Sequence, residues 1–99
     1  MIDENIAVQP QKVTLESLTT EEFLSLVGSR VRKNRMNIGM SRKMLAKKSG
    51  VSERYLAQLE SGQGNISILL LRKVATAIGV KLDELMAEKE IEPTEEPLI

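Results

Sequence analysis

Residues 41–62 read SRKMLAKKSGVSERYLAQLESG, and this stretch predicts two short helices joined by a tight turn. Each half has the same pattern: an apolar residue, a serine, an apolar residue five positions after the first, and a closing glycine. The positions are Met40, Ser41, Leu45 and Gly50, then Val51, Ser52, Leu56 and Gly62. Serine can accept a hydrogen bond from the free amides of a first helical turn, and glycine can adopt the left-handed conformation that ends a helix. We therefore predict helices over Ser41–Ser49 and Ser52–Ser61, with Gly50 supplying the positive φ at the corner.

The same stretch separates an apolar face from a polar one. The side chains expected to pack inside are Leu45, Ala46, Val51, Leu56 and Leu59. A connection this short makes the helices cross steeply, as in helix-turn-helix modules whose second helix enters the major groove of DNA. On a lone helix the outward-facing polar residues would be ordinary solvent-exposed side chains. In this arrangement we expect base-edge contacts from Ser52, Glu53, Arg54 and Gln58.

Capping signals on both sides predict three further helices. The first starts at Thr19, which forms a capping box with Glu22, and stops at Gly39. The fourth runs from Ile66-Ser67 to Gly79, and the fifth from about Leu82 to Glu88, although Lys81 is a poor cap. The predicted fold class is therefore all-α, a compact five-helix domain whose second and third helices form the helix-turn-helix. We expect a flexible arm over 1–18, the DNA-binding domain over 19–89, and an acidic disordered tail or linker over 90–99.

The charges of this chain are segregated, although its net charge is zero. Between Ser29 and Lys81 there are twelve basic and two acidic side chains. Residues 1–28 carry one lysine against five acidic residues, and residues 82–99 carry one lysine against seven. A charge run is often only a solvated face, but a basic centre between acidic flanks favours a polyanionic partner, here double-stranded DNA.

Composition excludes several other functions. At 99 residues the chain is long enough for one small domain, and it contains neither cysteine nor histidine. Thiolate metal sites and the commonest general base are therefore absent, so we expect no enzyme activity, no catalytic residue, no metal and no cofactor. Gly62-x-Gly64 follows a helix rather than a strand, so it is a turn and not a nucleotide-binding loop. With no apolar run of membrane-spanning length and no signal peptide, we expect a cytoplasmic protein without a membrane partner.

Residues from about Val27 to Met86 resemble the lambda-repressor-like helix-turn-helix domain of the xenobiotic-response-element (XRE) family. The resemblance rests on the Leu45-Ala46 pair, on Gly50-Val51-Ser52, on Leu59-Glu60-x-Gly62, and on Leu71-x-x-Val74-Ala75-x-x-Ile78-Gly79-Val80. More narrowly, SGVSERYLAQLESGQGNISILLLRKVA is similar to the DNA-binding half of benzoyl-CoA-responsive repressors of aromatic-acid catabolism. Those repressors carry a shikimate-kinase-like effector domain after the helix-turn-helix, so the narrower resemblance implies an effector domain beyond the C-terminus that binds an acyl-CoA.

The broader resemblance also implies roles for individual residues. Glu53, Arg54 and Gln58 fall where the family contacts bases, and Ser52 and Tyr55 fall near the backbone or the groove wall. Family members often have glutamine where this chain has Arg42; arginine cannot accept a hydrogen bond, so a direct phosphate contact is expected there. The expected DNA backbone contacts are Arg42, Lys43, Tyr55, Gln63 and Asn65. Arg35 and Glu60 fall where the family has a partly buried structural ion pair.

These features predict a transcriptional regulator, a repressor, that binds an operator as a homodimer, because one such module covers only a few base pairs. The dimer surface could be Leu82, Leu85 and Met86 or the arm residues Val13, Leu15 and Leu18, and these side chains could equally fill the monomer core. One alternative is a DNA-binding antitoxin whose acidic tail binds a toxin. The other is a protein-interaction adaptor that retains the fold, for which neutral or acidic residues would be expected around the third helix.

Overall fold

Five helices follow one another in the computed structural model, which describes residues 18–88. They are α1 (Thr20–Asn37), α2 (Arg42–Ser49), α3 (Glu53–Glu60), α4 (Ile68–Ile78) and α5 (Leu82–Met86). Between residues 18 and 88 there is no strand, so the predicted all-α class is confirmed. Nearly all of the predicted arm and the whole predicted tail lie outside the described residues. None of the helices described is long and apolar enough to cross a membrane.

The predicted capping residues begin and end most of these helices. Thr19 Oγ1 accepts a hydrogen bond from the Glu22 amide at 3.1 Å, and the Glu22 carboxylate accepts one from the Thr19 amide at 2.9 Å. The hydroxyls of Ser41, Ser52 and Ser67 each accept a hydrogen bond from the amide three residues later. Left-handed glycines end α2 and α4, with φ of 76° at Gly50 and 77° at Gly79.

Helix α5 is shorter than predicted, because it ends at Met86 rather than at Glu88. Its first turn has no side-chain hydrogen bond from the capping residue; only the Glu84 carboxylate reaches back, accepting a hydrogen bond from the Lys81 amide at 3.4 Å. At the other end, the Arg30 guanidinium on α1 donates hydrogen bonds to the carbonyl oxygens of Leu85 and Ala87. This arginine therefore supplies partners for carbonyls at the end of a helix that contains no closing glycine.

The core of the domain is aliphatic. Its most completely buried side chains come from every helix and are Val27, Val31, Leu45, Leu56, Leu71, Val74 and Leu85. Leu85 fills the monomer core and is not free to form a dimer surface, while Leu82 and Met86 are partly buried against the same core. The predicted inner set of the helix-turn-helix is also found inside: Val51 and Leu59 are each 3% exposed, and Ala46 is partly buried against the core.

Gly28 sets the distance between α1 and the end of α3. A Cβ atom at this position would lie 2.1 Å from the carbonyl oxygen of Leu59 and 3.0 Å from that of Glu60. The first distance is too short for a carbon atom and the second is unusually tight, so the two backbones can approach this closely only because residue 28 has no side chain. This role of Gly28 is not predictable from the sequence, since a single glycine inside a helical pattern does not reveal which backbone packs against it.

Candidate nucleic-acid interface

One face of α3 is exposed to solvent. Ser52, Glu53, Arg54 and Gln58 are exposed, while Leu56 and Leu59 on the opposite face of the helix are buried. The hydroxyl of Ser52 caps the helix by accepting a hydrogen bond from the Tyr55 amide at 3.0 Å. The four side chains expected to contact bases therefore lie on the accessible side of one helix.

The N-terminus of α2 lies next to the exposed face of α3. The two helices border an open cleft of about 750 Å³, lined by Arg35, Ser41, Arg42, Lys43, Glu53, Arg54 and Ala57. Two of the expected backbone-contact residues, Arg42 and Lys43, thus share a cleft with two of the expected base-contact residues. The cleft brings three exposed cations, counting Arg54, together with one exposed carboxylate, that of Glu53. Its surface is suited to a polyanion.

The loop after α3 lies against the C-terminal end of that helix. The Gln63 amide donates a hydrogen bond to the Gln58 carbonyl at 2.9 Å, and Gly62 and Gly64 have φ of 77° and 74°. Gln63 and Asn65, the other expected backbone contacts, are both exposed in this loop. The loop that carries them is bonded to α3 at Gln58, toward the opposite end of the helix from Arg54.

Arg35 and Glu60, which the resemblance pairs, form a bidentate ion pair between α1 and α3. Arg35 Nε lies 2.6 Å from Glu60 Oε2, and Arg35 Nη2 lies 2.8 Å from Glu60 Oε1. A third hydrogen bond runs from Arg35 Nη1 to the Met40 carbonyl at 2.8 Å. The side chains are only 9% and 4% exposed. The hydrogen bond to Glu60 raises the pKa of the Arg35 guanidinium above its usual value and the charge of Glu60 adds to this, while burial opposes it.

The geometry of two helices across a glycine turn agrees with a comparison against known protein families. The sequence profile of the HTH_3 family, described as helix-turn-helix, matches residues 31–85, which is more than half of the chain. The chain belongs to the HTH_3 helix-turn-helix family. The broader of the two resemblances drawn from the sequence is therefore confirmed.

Relatives within this family are HTH-type transcriptional regulators. The chain is 35% identical over 75 residues to the regulator y4dJ of Sinorhizobium fredii, covering 76% of this chain and 91% of the relative. It is 37% identical over 65 residues to the regulator SinR of Bacillus subtilis, where it covers 65% of this chain and only 59% of SinR.

Solved HTH_3-like structures have the same arrangement of helices. The restriction-modification controller protein C.AhdI of Aeromonas hydrophila superposes with a TM-score of 0.60 at 37% identity, covering 63% of this chain and 94% of C.AhdI. The structure of SinR in complex with DNA superposes with a TM-score of 0.56 at 37% identity, covering 60% of this chain and 95% of that chain.

Tyr55 is placed differently from the other expected contacts. It is half-buried against the core, and its hydroxyl oxygen accepts a hydrogen bond from the Ser67 amide at 3.2 Å. It therefore joins α3 to the start of α4, and only its hydroxyl hydrogen remains to be donated elsewhere. Sequence reasoning missed this contact because the two residues are twelve positions apart and no local period relates them.

Arg42 also has a partner that sequence reasoning missed. Its Nε atom lies 3.6 Å from Glu60 Oε1, so the carboxylate that holds Arg35 faces a second guanidinium. The Arg42 side chain is 45% exposed, in contrast to that of Arg35. Within residues 18–88, no group of His, Cys, Asp or Glu side chains is arranged to hold a metal ion.

Proposed function

We propose that this chain is a sequence-specific DNA-binding transcriptional regulator, acting as a repressor, and that α3 reads the major groove. The observation that carries the proposal is the shared cleft: exposed polar residues of α3 adjoin the basic N-terminus of α2 on one accessible surface. Protein–DNA interfaces combine both elements, since phosphate contacts position the protein and base contacts supply specificity.

The residues divide between these two roles by their chemistry. Arg54 can donate two hydrogen bonds to guanine, Gln58 can bridge the edge of adenine, and Glu53 can accept from the amino group of cytosine. Ser52 adds a hydroxyl that can pair with more than one base. Arg42 and Lys43 on α2, with Gln63 and Asn65 in the loop after α3, would contact phosphates on either side of the groove; the hydroxyl of Tyr55 can still donate one hydrogen bond.

We infer that the active form is a homodimer on a two-fold symmetric operator. One module reads only a few base pairs, so useful specificity requires two half-sites about one helical turn, roughly 34 Å, apart. With Leu85 inside the core, the remaining candidates for the dimer surface are Leu82 and Met86, which are half-buried, and Leu18 at the start of α1. The other two arm candidates, Val13 and Leu15, lie outside the described residues.

The domain limits, the location of the protein and its effector domain are inferred from the sequence. We propose that residues 19–89 are the DNA-binding domain, that the arm and acidic tail flank it, and that the protein acts in the cytoplasm without catalysing a reaction. The resemblance of residues 49–75 to benzoyl-CoA-responsive repressors further supports regulation by an acyl-CoA through an effector domain of shikimate-kinase type joined beyond the C-terminus. The DNA sequence that follows and surrounds the coding region tests that last point directly.

Selection of bound fragments from a pool of random DNA tests the proposed function. We expect recovery of a two-fold symmetric motif, and binding to it by fluorescence anisotropy at least a thousandfold tighter than to scrambled DNA of equal length. Affinity should fall steeply as salt concentration rises. Recovery of no motif, together with binding that does not depend on salt, would favour the protein-interaction adaptor instead.

A further inference from the structure

The carboxylate of Glu60 faces two arginines that differ in environment. Arg35 takes up both of its oxygen atoms through hydrogen bonds of 2.6 and 2.8 Å, and both of those side chains are almost fully buried. Arg42 approaches Oε1 from the solvent side, with Nε at 3.6 Å. Because Arg35 holds Glu60 in place, the carboxylate is a fixed negative charge beside a side chain that is 45% exposed.

The contact with Glu60 leaves the hydrogen-bond donors of Arg42 unused. At 3.6 Å the two groups form an ion pair that is too long for a hydrogen bond. Among the described residues, no side-chain or backbone oxygen accepts a hydrogen bond from the Arg42 guanidinium. All five of its N–H groups are therefore available to an incoming anion, and a planar guanidinium can present two of them together to one phosphate.

We propose that Glu60 is a positioning residue for DNA binding, which acts by holding Arg42 in the cleft between α2 and α3 so that its guanidinium can clamp a phosphate. This inference rests on the proposed function. Glu60 then has two roles. Its two carboxylate oxygens bond Arg35 and so hold α1 against α3, and the same carboxylate positions Arg42 of α2. Two guanidiniums against one carboxylate leave the cluster with a net positive charge, so it still attracts phosphate.

The benefit of this arrangement is a smaller loss of side-chain freedom on binding. Ordering a long, flexible side chain at an interface lowers affinity by roughly two- to tenfold. An arginine that is already held near its bound position avoids part of that loss. Lysine at this position would keep the charge, but its single ammonium group would have to serve both Glu60 and the phosphate.

A double-mutant cycle in DNA affinity tests the proposal. The four proteins are the parent, Arg42→Ala, the paired change Arg35→Met with Glu60→Leu, and the combination of all three changes. Circular dichroism first establishes that each is folded at the temperature of measurement. We expect Arg42→Ala to weaken binding to the selected operator by about tenfold in the parent and by only about two- to threefold in the R35M/E60L background.

Lys43→Ala serves as the matched control, because Lys43 is exposed in the same cleft and forms no ion pair with Glu60. Its removal should weaken binding by the same factor in both backgrounds. If Arg42→Ala also weakens DNA binding by the same factor in both backgrounds, Glu60 does not position Arg42 and the inference is overturned, although the proposed function stands. A parent protein that selects no operator would instead overturn the proposed function.

Arg42→Lys in the parent gives an independent test that does not require the R35M/E60L background to fold. It keeps the positive charge, so the dependence of affinity on salt should stay unchanged. The affinity itself should fall about three- to tenfold, because lysine cannot donate two parallel hydrogen bonds to one phosphate as a guanidinium does. Binding by R42K as tight as that of the parent would contradict the proposal.

Discussion

At the scale of single residues, the exposed side chains of α3 carry the proposed recognition. Arg54 stands on the first turn of α3, is exposed, and shares a cleft with Arg42 and Lys43. We predict that Arg54→Ala weakens binding to the selected operator by about 1–3 kcal/mol and relaxes base preference at one position of each half-site. Fluorescence anisotropy with operator and random DNA measures both effects. An equal loss on the two DNAs would show that Arg54 contacts only phosphate.

The buried ion pair makes a separate prediction about stability. Glu60→Ala leaves the Arg35 guanidinium buried without a counter-charge, so we expect the free energy of unfolding to fall by roughly 3 kcal/mol. An arginine guanidinium stays protonated throughout the neutral pH range even without Glu60, so raising the pH within that range should not rescue the variant. Urea denaturation measures the change.

Replacing both partners with apolar residues provides the control for that measurement. Arg35→Met together with Glu60→Leu removes both charges while keeping side-chain volume, and should recover much of the lost stability. A loss below about 1 kcal/mol for Glu60→Ala alone would mean that the pair behaves as an exposed one.

The sequence predicts the orientation of a side chain where local contacts determine it. It does not do so where contacts with distant residues determine it. Ser52, Glu53, Arg54 and Gln58 were predicted to face outward, and they do, because the helical period alone decides which face of α3 is apolar. The contact between Arg42 and Glu60 could not be predicted, because it depends on how far α2 and α3 are rotated about their axes. Packing of the whole core determines that rotation.

At the scale of elements, local capping chemistry determined most boundaries and tertiary contacts determined the rest. Four of the five helices begin after a serine or threonine whose side chain accepts the expected hydrogen bond. Only α5 departs from its predicted length, and it is the helix without a side-chain cap at its start or a glycine at its end. Its C-terminal carbonyls are bonded by Arg30, which is more than fifty residues away in the chain.

Tyr55 links two elements, and its role can be tested by removing one oxygen atom. In Tyr55→Phe the Ser67 amide at the start of α4 loses its acceptor, so we expect the free energy of unfolding to fall by about 1–2 kcal/mol. Thermal unfolding followed by circular dichroism checks this value. DNA affinity, measured where both proteins are fully folded, should remain close to that of the parent if the hydroxyl serves α4 alone. A uniform loss of affinity across DNA sequences would instead indicate a phosphate contact.

At the scale of the whole molecule, charge separates into a basic centre and acidic flanks, while the net charge is zero. The cleft at α2 and α3 belongs to the basic part, so a negatively charged segment elsewhere in the chain weakens its long-range attraction for DNA. Residues 90–99 contain four glutamates and no basic residue. The sequence alone therefore predicts a repulsive contribution from this segment.

Deleting residues 90–99 should accordingly strengthen binding to random DNA, most clearly at low salt, where charges interact over the longest distances. Anisotropy titrations at two salt concentrations measure the effect. A matched control replaces the four glutamates with glutamine and keeps the length, and it should reproduce the gain. If the deletion strengthens binding but the glutamine variant does not, the effect is steric rather than electrostatic.

Gly28 has a genetic consequence. Every single-base change in a glycine codon that alters the amino acid introduces a side chain, and here any Cβ would meet a backbone carbonyl oxygen at 2.1 Å. A change of side-chain rotamer cannot relieve this collision, because the backbone alone determines the position of the Cβ atom. In a library of random point variants screened for activity, codon 28 should return only synonymous changes. Codon 39 should still admit aspartate, because this residue tolerates the left-handed φ of 68° found at Gly39 and a Cβ there would meet nothing within 4 Å. Variants that displace α3 would therefore be selected against at a codon that lies in α1.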